Sequence, residues 1–352
     1  MPLDPQRLTP TASLNRVPFI GAPAIGMPQE YEGRPAFSLL GAAALGGLLA
    51  ERRQELELTT EEVASGGLSF ALRARLESFK PAVAATASDI VAEYGRRLGY
   101  LVAILKRGDP ESRDARPEWD ESYWAHWGSV ERVYLGGGLA CPEMCDAAMS
   151  VVRVLGSGIE VGVAPYPVYQ PMLGAARSLL ISDGTALVAD FGQTATKRAV
   201  ETYQEGGLAS MRALESIPAP GLSGLDYVRW MVETVASSVP AGAAEAGLCV
   251  SSYLDEQDHP VRYAAGRFAG IHDDIQDLRG WLTEEISLAV GREIHVSLFH
   301  DATAAGIGLS PSPSAAVIML GTALGVGFPF GGDGKLTPLA PGFAVTEAKL
   351  RP

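Results

Sequence analysis

The sequence predicts an α/β protein of two lobes, each a mixed β-sheet flanked by helices. Three observations carry this reading. The chain has 352 residues, long enough for two ordinary domains. From Val130 onward, short apolar runs of strand length alternate with amphipathic stretches of helical period. Three glycine-marked turns follow apolar runs, at Tyr134–Ala140, Asp190–Lys197 and Gly321–Gly327. One lobe is expected over residues 182–310 and the other from 1–181 together with 311–352.

Taken in order, residues 1–35 are rich in Pro and Gly and read as an irregular arm or a strand with loops. Phe37–Ala50 is apolar and Gly/Ala-rich, too short to span a bilayer, and reads as a buried helix. Thr59-Thr60-Glu61-Glu62 is a helix start. A longer helix is predicted from Ser88 to Lys106, with Ile90, Val91, Tyr94, Leu98, Leu101 and Leu105 on one stripe. Arg107–Ser129 is polar and charged and reads as an exposed loop or insertion. Its Trp119, Trp124 and Trp127 either pack that segment or stack on a planar ligand.

Beyond Val130, strands are predicted at Val133–Leu135, Glu160–Ala164, Ala186–Ala189, Gly247–Val250 and His295–Phe299. Helices are predicted at Pro142–Leu155, Tyr169–Ile181, Ser223–Ser237 and Leu278–Leu288. Thr196–Tyr203 alternates as a half-exposed strand, turns at Gln204–Gly207 and returns over Leu208–Ile217. Asp301 opens a helix of small residues. Ala315–Leu320 and Val326–Phe330 form the last predicted element, a hairpin.

Composition removes several classes. A hydrophobic fraction of 47% against 20% charged residues fits a globular protein with a large core. The net charge of −13 argues against a nucleic-acid surface, which needs a basic face. It does not oppose a phosphate ligand held locally by backbone N–H groups and a metal. Cys141, Cys145 and Cys249 are too few for a disulfide framework, so a reducing compartment is expected. Met1–Asn15 lacks the apolar run of a signal peptide, and the expected location is cytoplasmic, away from the membrane.

Two of the glycine turns have the chemistry of phosphate grips. At Asp190–Lys197 a buried strand enters a turn and returns. Gly192 lets backbone approach an anion and tolerates positive φ. The N–H groups of Gln193 and Thr194 can point at phosphate oxygens, and Lys197 can add charge. Asp190, at the strand end, suits Mg²⁺, which takes hard oxygen ligands and keeps waters. Gly321, Thr322 and Gly325 repeat the pattern after Ala315–Leu320. Either turn alone could be a plain hairpin, but two are harder to explain so. Asp301, between a strand and a helix, is placed to take a proton from a substrate hydroxyl, or simply to cap its helix. His300 beside it is a candidate substrate contact. Cys141 and Cys145, four apart, lack a second metal-binding pair and read as buried thiols.

Together these residues resemble the ROK family of sugar kinases and regulators, within the actin/hexokinase ATPase superfamily. Asp190-Phe191-Gly192-Gln193-Thr194 resembles the family's Asp-x-Gly-Gly-Thr phosphate motif, with Gln193 at its second glycine. His300-Asp301-Ala302-Thr303-Ala304-Ala305 is similar to Asn-Asp-Ala-Asn-Ala-Ala, whose Asp is the catalytic base. Gly321-Thr322-Ala323-Leu324-Gly325-Val326-Gly327 resembles the second phosphate motif. Leu135-Gly136-Gly137-Gly138-Leu139-Ala140 resembles the turn beneath adenosine, and Leu173-Gly174-Ala175-Ala176 the family's closing helix. In the family those two elements come last. Here they precede the first phosphate motif, so the resemblance implies a two-lobed actin/hexokinase-like (ribonuclease H-like) fold that is circularly permuted. The family's Glu-x-Gly-His sugar motif and Cys-rich zinc site have no counterpart, and the resemblance covers the nucleotide half more fully than the sugar half.

The resemblance implies transfer of phosphate from ATP, with Mg²⁺, to a hydroxyl of a sugar or polyol. In that reading Asp301 is the base and His300 a substrate ligand, Asp190 serves the metal, and Gly192, Gln193, Thr194, Lys197, Gly321, Thr322 and Gly325 hold phosphate. Gly136, Gly137 and Gly138 would lie under adenosine, and a homodimer is the family's oligomer. The alternative is a non-catalytic nucleotide- or sugar-binding sensor. No helix-turn-helix pattern or basic region supports a DNA-binding regulator.

Overall fold

A computed structural model describes residues 4, 7–21, 26–60, 62, 68–262, 266–330 and 335–348. The chain divides into two compact units. One is built from Pro10–Gln170 and Ser312–Phe328, the other from Pro171–Pro311 and the described residues of Pro329–Pro352. The division falls at other points than the sequence suggests, because residues 171–181 and the C-terminal segment belong with the second unit.

The first unit carries a four-stranded sheet. Its strands are β1 (Arg132–Gly136), β2 (Glu160–Val163), β8 (Ala315–Leu320) and β9 (Leu324–Gly327), in the order β2-β1-β8-β9. β1 runs parallel to both β2 and β8, and β9 returns antiparallel on β8. Where the apolar stretch 37–50 was expected to form one buried helix, two appear: α1 (Ala36–Leu40) and α2 (Ala42–Glu51). The break is Gly41, whose extended backbone cannot continue a helix. Leu39, Leu40, Leu45 and Leu49 turn inward with Ala36, while Ala42, Ala43 and Ala50 face out. Thr59 and Glu62 form a reciprocal capping box, Thr59 N donating to Glu62 Oε2 (2.9 Å) and Glu62 N to Thr59 Oγ1 (3.1 Å). The helix α3 (Leu68–Leu76) follows.

The long helix α4 (Pro81–Arg107) starts earlier than its apolar stripe suggests, because Pro81 suits a first helical turn. Gly108, at φ 51°, ends it. The segment 107–129 is not an exposed loop. It folds into α5 (Pro110–Asp114) and α6 (Glu121–Ser129), and Trp119, Trp124 and Trp127 are 4%, 3% and 2% exposed. Its charged residues mislead because they sit at helix ends. Asp120 caps α6 by accepting from Ser122 N (3.0 Å) and Tyr123 N (3.3 Å). Arg116, itself buried, donates to the carbonyls of Ser13 (3.1 Å) and Thr11 (3.0 Å). The tryptophans are therefore core, leaving no face for a ligand. The helix α7 (Pro142–Val154) packs along α4.

The second unit opens with α8 (Gln170–Ser178). Its sheet comprises β3 (Gly184–Phe191), β4 (Ala195–Gln204), β5 (Gly207–Pro218), β6 (Glu245–Val250), β7 (His295–His300) and β10 (Leu339–Thr346), ordered β10-β5-β4-β3-β6-β7. The run β3–β4–β5 is an antiparallel meander, while β3, β6 and β7 are mutually parallel. One face, with Leu187, Phe191, Leu248 and Leu298, packs on α9 (Gly224–Ala236) through Tyr227, Met231 and Val235, and on α11 (Leu278–Val290) through Leu282 and Ile286. A short helix α10 (Ile271–Asp274) lies between them in sequence.

The opposite face meets α8. Tyr203 donates its hydroxyl to Ala176 O (2.8 Å), and Ala175 lies beside Gly247. Gly174 lets α8 close on α12 (Asp301–Gly308): a Cβ there would stand 1.7 Å from Ala304 O. Burial by helices on both faces corrects the reading of β4 as half exposed. Its Glu201 is fully buried. β10 has no counterpart in the sequence reading, because Pro341 and Gly342 interrupt its alternation. It holds an edge position, where a missing amide is tolerated. Among the described residues no helix is long and apolar enough to cross a membrane.

Candidate functional site

In the second unit the three parallel strands β3, β6 and β7 end at one edge of the sheet. Ligands of open α/β sheets collect beyond such C-terminal edges. Register places Asp190 of β3 beside Cys249 of β6, and Cys249 beside Phe299 of β7. The residues following these ends are the Gly192–Thr194 turn, Ser251–Tyr253, and His300–Asp301. Asp190, Gly192, Gln193, Thr194, Lys197, His300 and Asp301 are thus brought together.

Asp190 is 4% exposed and faces Lys197 directly across the β3–β4 hairpin. Lys197 Nζ donates to Asp190 Oδ2 at 3.0 Å, so the lysine points to the site. Gly192 does not adopt positive φ, which corrects the reason for a glycine there. A Cβ would instead meet Ala195 O at 2.9 Å across the tight turn. Gln193 and Thr194 are exposed. Gln193 donates through Nε2 to Ser251 Oγ (3.0 Å). Arg267 buckles this turn to its surroundings, donating to Gln193 O (2.8 Å), to Leu222 O (3.1 Å) and to Pro220 O. Its guanidinium lies over the Tyr227 ring, 5.3 Å from the centroid. The buried Tyr227 hydroxyl has no hydrogen-bond partner among the described residues, and burial pushes its pKa up to about 12.

Asp301 is the first residue of α12. Its Oδ1 accepts from Ala302 N (2.6 Å) and faces His300 Nε2 at 3.4 Å. Both contacts fall on Oδ1, which leaves Oδ2 as the oxygen available to a proton. Burial, and secondarily the Asp190 carboxylate, pushes the Asp301 pKa up to about 7. His300 is buried, and burial lowers its pKa to about 3, so the ring is neutral. Its Nδ1 lies 2.9 Å from Thr303 Oγ1, and Tyr253 stacks on it with centroids 4.2 Å apart. The Cys249 thiol donates to Pro171 O (3.4 Å), and burial raises its pKa well above the ordinary thiol value, so it is an inert neutral group here.

The remaining predicted residues lie in the first unit, where they too converge. Gly136 of β1 is in register with Met319 of β8, so the turns that follow both strands leave the same sheet edge. Gly137 (φ +96°) passes so close to β8 that a Cβ would stand 2.3 Å from Leu320 O. Its amide donates to Pro167 O (2.7 Å). Gly138 lines a shallow depression with Leu139, Ala140, Cys141, Leu72, Leu76, Val91 and Arg73. Gly321 and Thr322 are exposed in the β8–β9 turn and Gly325 is half-buried. The turn is held from behind: Thr322 O accepts from Ala42 N (3.1 Å). The Asn15 side chain exchanges two 2.9 Å hydrogen bonds with Leu324.

Sequence reasoning found the carboxylates and the glycines but not Tyr253, Thr303, Arg267 or Tyr227. Tyr253 carried a usable signal, since it follows the end of β6. Arg267 and Tyr227 reach the turn from distant segments and carried none.

No family model and no curated protein matches the chain. Among solved structures it is similar to an inorganic polyphosphate/ATP-glucomannokinase from Arthrobacter sp. strain KM, at 22% identity and a TM-score of 0.31. That match covers 45% of this chain and 62% of the kinase, less than two thirds of its length. It is also similar to the ethanolamine utilization protein EutJ from Carboxydothermus hydrogenoformans, at 14% identity and a TM-score of 0.30, over 59% of this chain and 72% of that one.

Proposed function

We propose that the chain is an ATP-dependent phosphotransferase acting on a hydroxyl of a sugar or related polyol, in a circularly permuted ROK-like arrangement. The observation that carries this reading is Asp301. It is a carboxyl at a strand-to-helix junction with one oxygen uncommitted, and its pKa of about 7 matches a general base at neutral pH. Its Oδ2 would take the proton of the acceptor hydroxyl. The oxygen's electron pair then bonds to the γ-phosphorus, and the bond to the ADP oxygen breaks.

The exposed Gln193–Thr194 turn would supply N–H donors to phosphate oxygens, held in place by Arg267. Lys197 would add a positive charge beside Asp190. Gly321, Thr322 and Gly325 are assigned to phosphate, and Gly136–Gly138, with their apolar depression, to adenosine.

The residues fit Mg²⁺. Among the described residues no group of three or more His, Cys, Asp or Glu could hold a metal by itself, but Asp190 and Asp301 are close enough for each charge to bear on the other. One or two carboxylates completed by water and phosphate is how magnesium is usually held. The ion would be kept by Asp190, directly or through water, and would offset the charge of the phosphates.

The test is release of ADP over a panel of sugars and polyols, with Asp301→Asn as control. Turnover should fall by a factor of about 10² to 10⁴ in that variant. Full turnover in Asp301→Asn would reject the assignment. A second reading, a nucleotide- or sugar-binding sensor, is favoured by the missing Glu-x-Gly-His motif. Calorimetric binding of ATP or sugar without ADP formation would support it.

A further inference from the structure

The family pattern around the base has Asn on its N-terminal side and Asn two residues after it. Here those places hold His300 and Thr303, and the structure joins them. Thr303 lies in the first turn of α12 and is 7% exposed. Its hydroxyl sits 2.9 Å from His300 Nδ1, while the other ring nitrogen faces Asp301 Oδ1 at 3.4 Å. Tyr253 covers a face of the ring. Nδ1 of this buried ring is thus hydrogen-bonded within the protein, and Nε2 lies against the Asp301 carboxyl.

A carboxylate oxygen only accepts hydrogen bonds, so the nitrogen facing it must carry the hydrogen. A neutral imidazole has one N–H, and the nitrogen not facing the acid must then accept. Thr303 meets that need as an O–H donor. We propose that Thr303 and His300 are positioning residues: the Thr303 hydroxyl donates to Nδ1, fixes the N–H on Nε2, and that N–H pins Oδ1 of Asp301 so that Oδ2 faces the acceptor. Tyr253 holds the ring plane. This rests on the reading of Asp301 as the base, but its first link, hydroxyl to ring, can be measured without turnover.

The test uses the full chain with Thr303→Val, which keeps side-chain shape and removes the donor, and Thr303→Ser, which restores it. ¹⁵N chemical shifts of His300 report which nitrogen bears hydrogen. The expected result is an Nε2–H ring in the unaltered protein and in Thr303→Ser, but a mixture or the Nδ1–H form in Thr303→Val. Steady-state kinetics should show kcat lowered about tenfold in Thr303→Val, with KM for ATP unchanged and Thr303→Ser near the unaltered rate. A purely structural threonine would leave the tautomer as it was. The proposal is overturned if Thr303→Val keeps the Nε2–H ring, or if the tautomer moves and kcat does not. Absence of turnover in the unaltered protein would instead reject the phosphotransfer reading, and the NMR result would still decide whether Thr303 sets the ring.

Discussion

Glu201 offers the most direct test of the energetics. It lies in β4, between Ala186 of β3 and Met211 of β5, and is fully buried. Neither carboxyl oxygen has a hydrogen-bond partner among the described residues. Burial raises its pKa well above the model-peptide value of 4.5, so the folded protein keeps it protonated where the unfolded chain ionises it. Between 4.5 and the folded pKa the native state holds one more proton than the unfolded state. Stability therefore falls as pH rises, by about 1.4 kcal/mol per unit for this group. The penalty grows with pH from 4.5 toward the folded pKa, and it is absent below pH 4.5. Glu201→Met keeps the length of the side chain and removes the polar atoms, so it should be the more stable protein at pH 7. Glu201→Gln should gain less, because a buried amide still lacks partners. Urea denaturation from pH 5 to 7.5 measures this. The gap between Glu201→Met and the unaltered protein should widen as pH rises from 5 toward the folded pKa. Curves that run parallel would refute the argument.

Other consequences follow from the same structure. Gly174→Ala should cost about 3 kcal/mol or more in thermal or urea unfolding, because its Cβ would strike the Ala304 carbonyl, a backbone atom that cannot swing aside. Asp120→Ala removes the cap of α6 and should cost about 1 kcal/mol, read by the same method. If Asp301 is the base, kcat/KM should climb tenfold per pH unit below about 7 and level off above it, since the carboxyl must be ionised to accept a proton. A profile flat from pH 5.5 to 8 would count against that role.

Much of the second unit was legible because its signals are local. The run from Ala186 to Phe299 alternates strand and helix with clear periods, and the strand ends carry Asp190 and Asp301 where chemistry is expected. What escaped was decided at a distance. Residues 107–129 look like a solvent-facing loop from their charges, yet Arg116 and Trp119 donate to carbonyls far back in the chain and Trp127 packs edge-on to Phe328 far ahead of it. Glu201 alternates like an exposed position, yet between β3 and β5 it is fully buried. The Thr303–His300 contact is local in sequence. It stayed hidden because a hydroxyl on a helix says nothing about its rotamer until the neighbouring ring is in place.

The strand pairings also constrain how the polypeptide can reach its native state during synthesis. Arg132 of β1 pairs with Ala315 of β8, and Ser210 of β5 with Ala344 of β10. The smaller sheet lacks half its strands until the ribosome has passed β9, and the larger lacks its border strand until β10 has been made. The first unit cannot close until the central strands of the second have been made, so the usual N-terminal-first order of maturation is closed to this chain. The edge of β1 stays raw while residues 137–314 are made and that of β5 while residues 219–338 are made, a period in which chaperone capture would matter more than it does for proteins with contiguous domains.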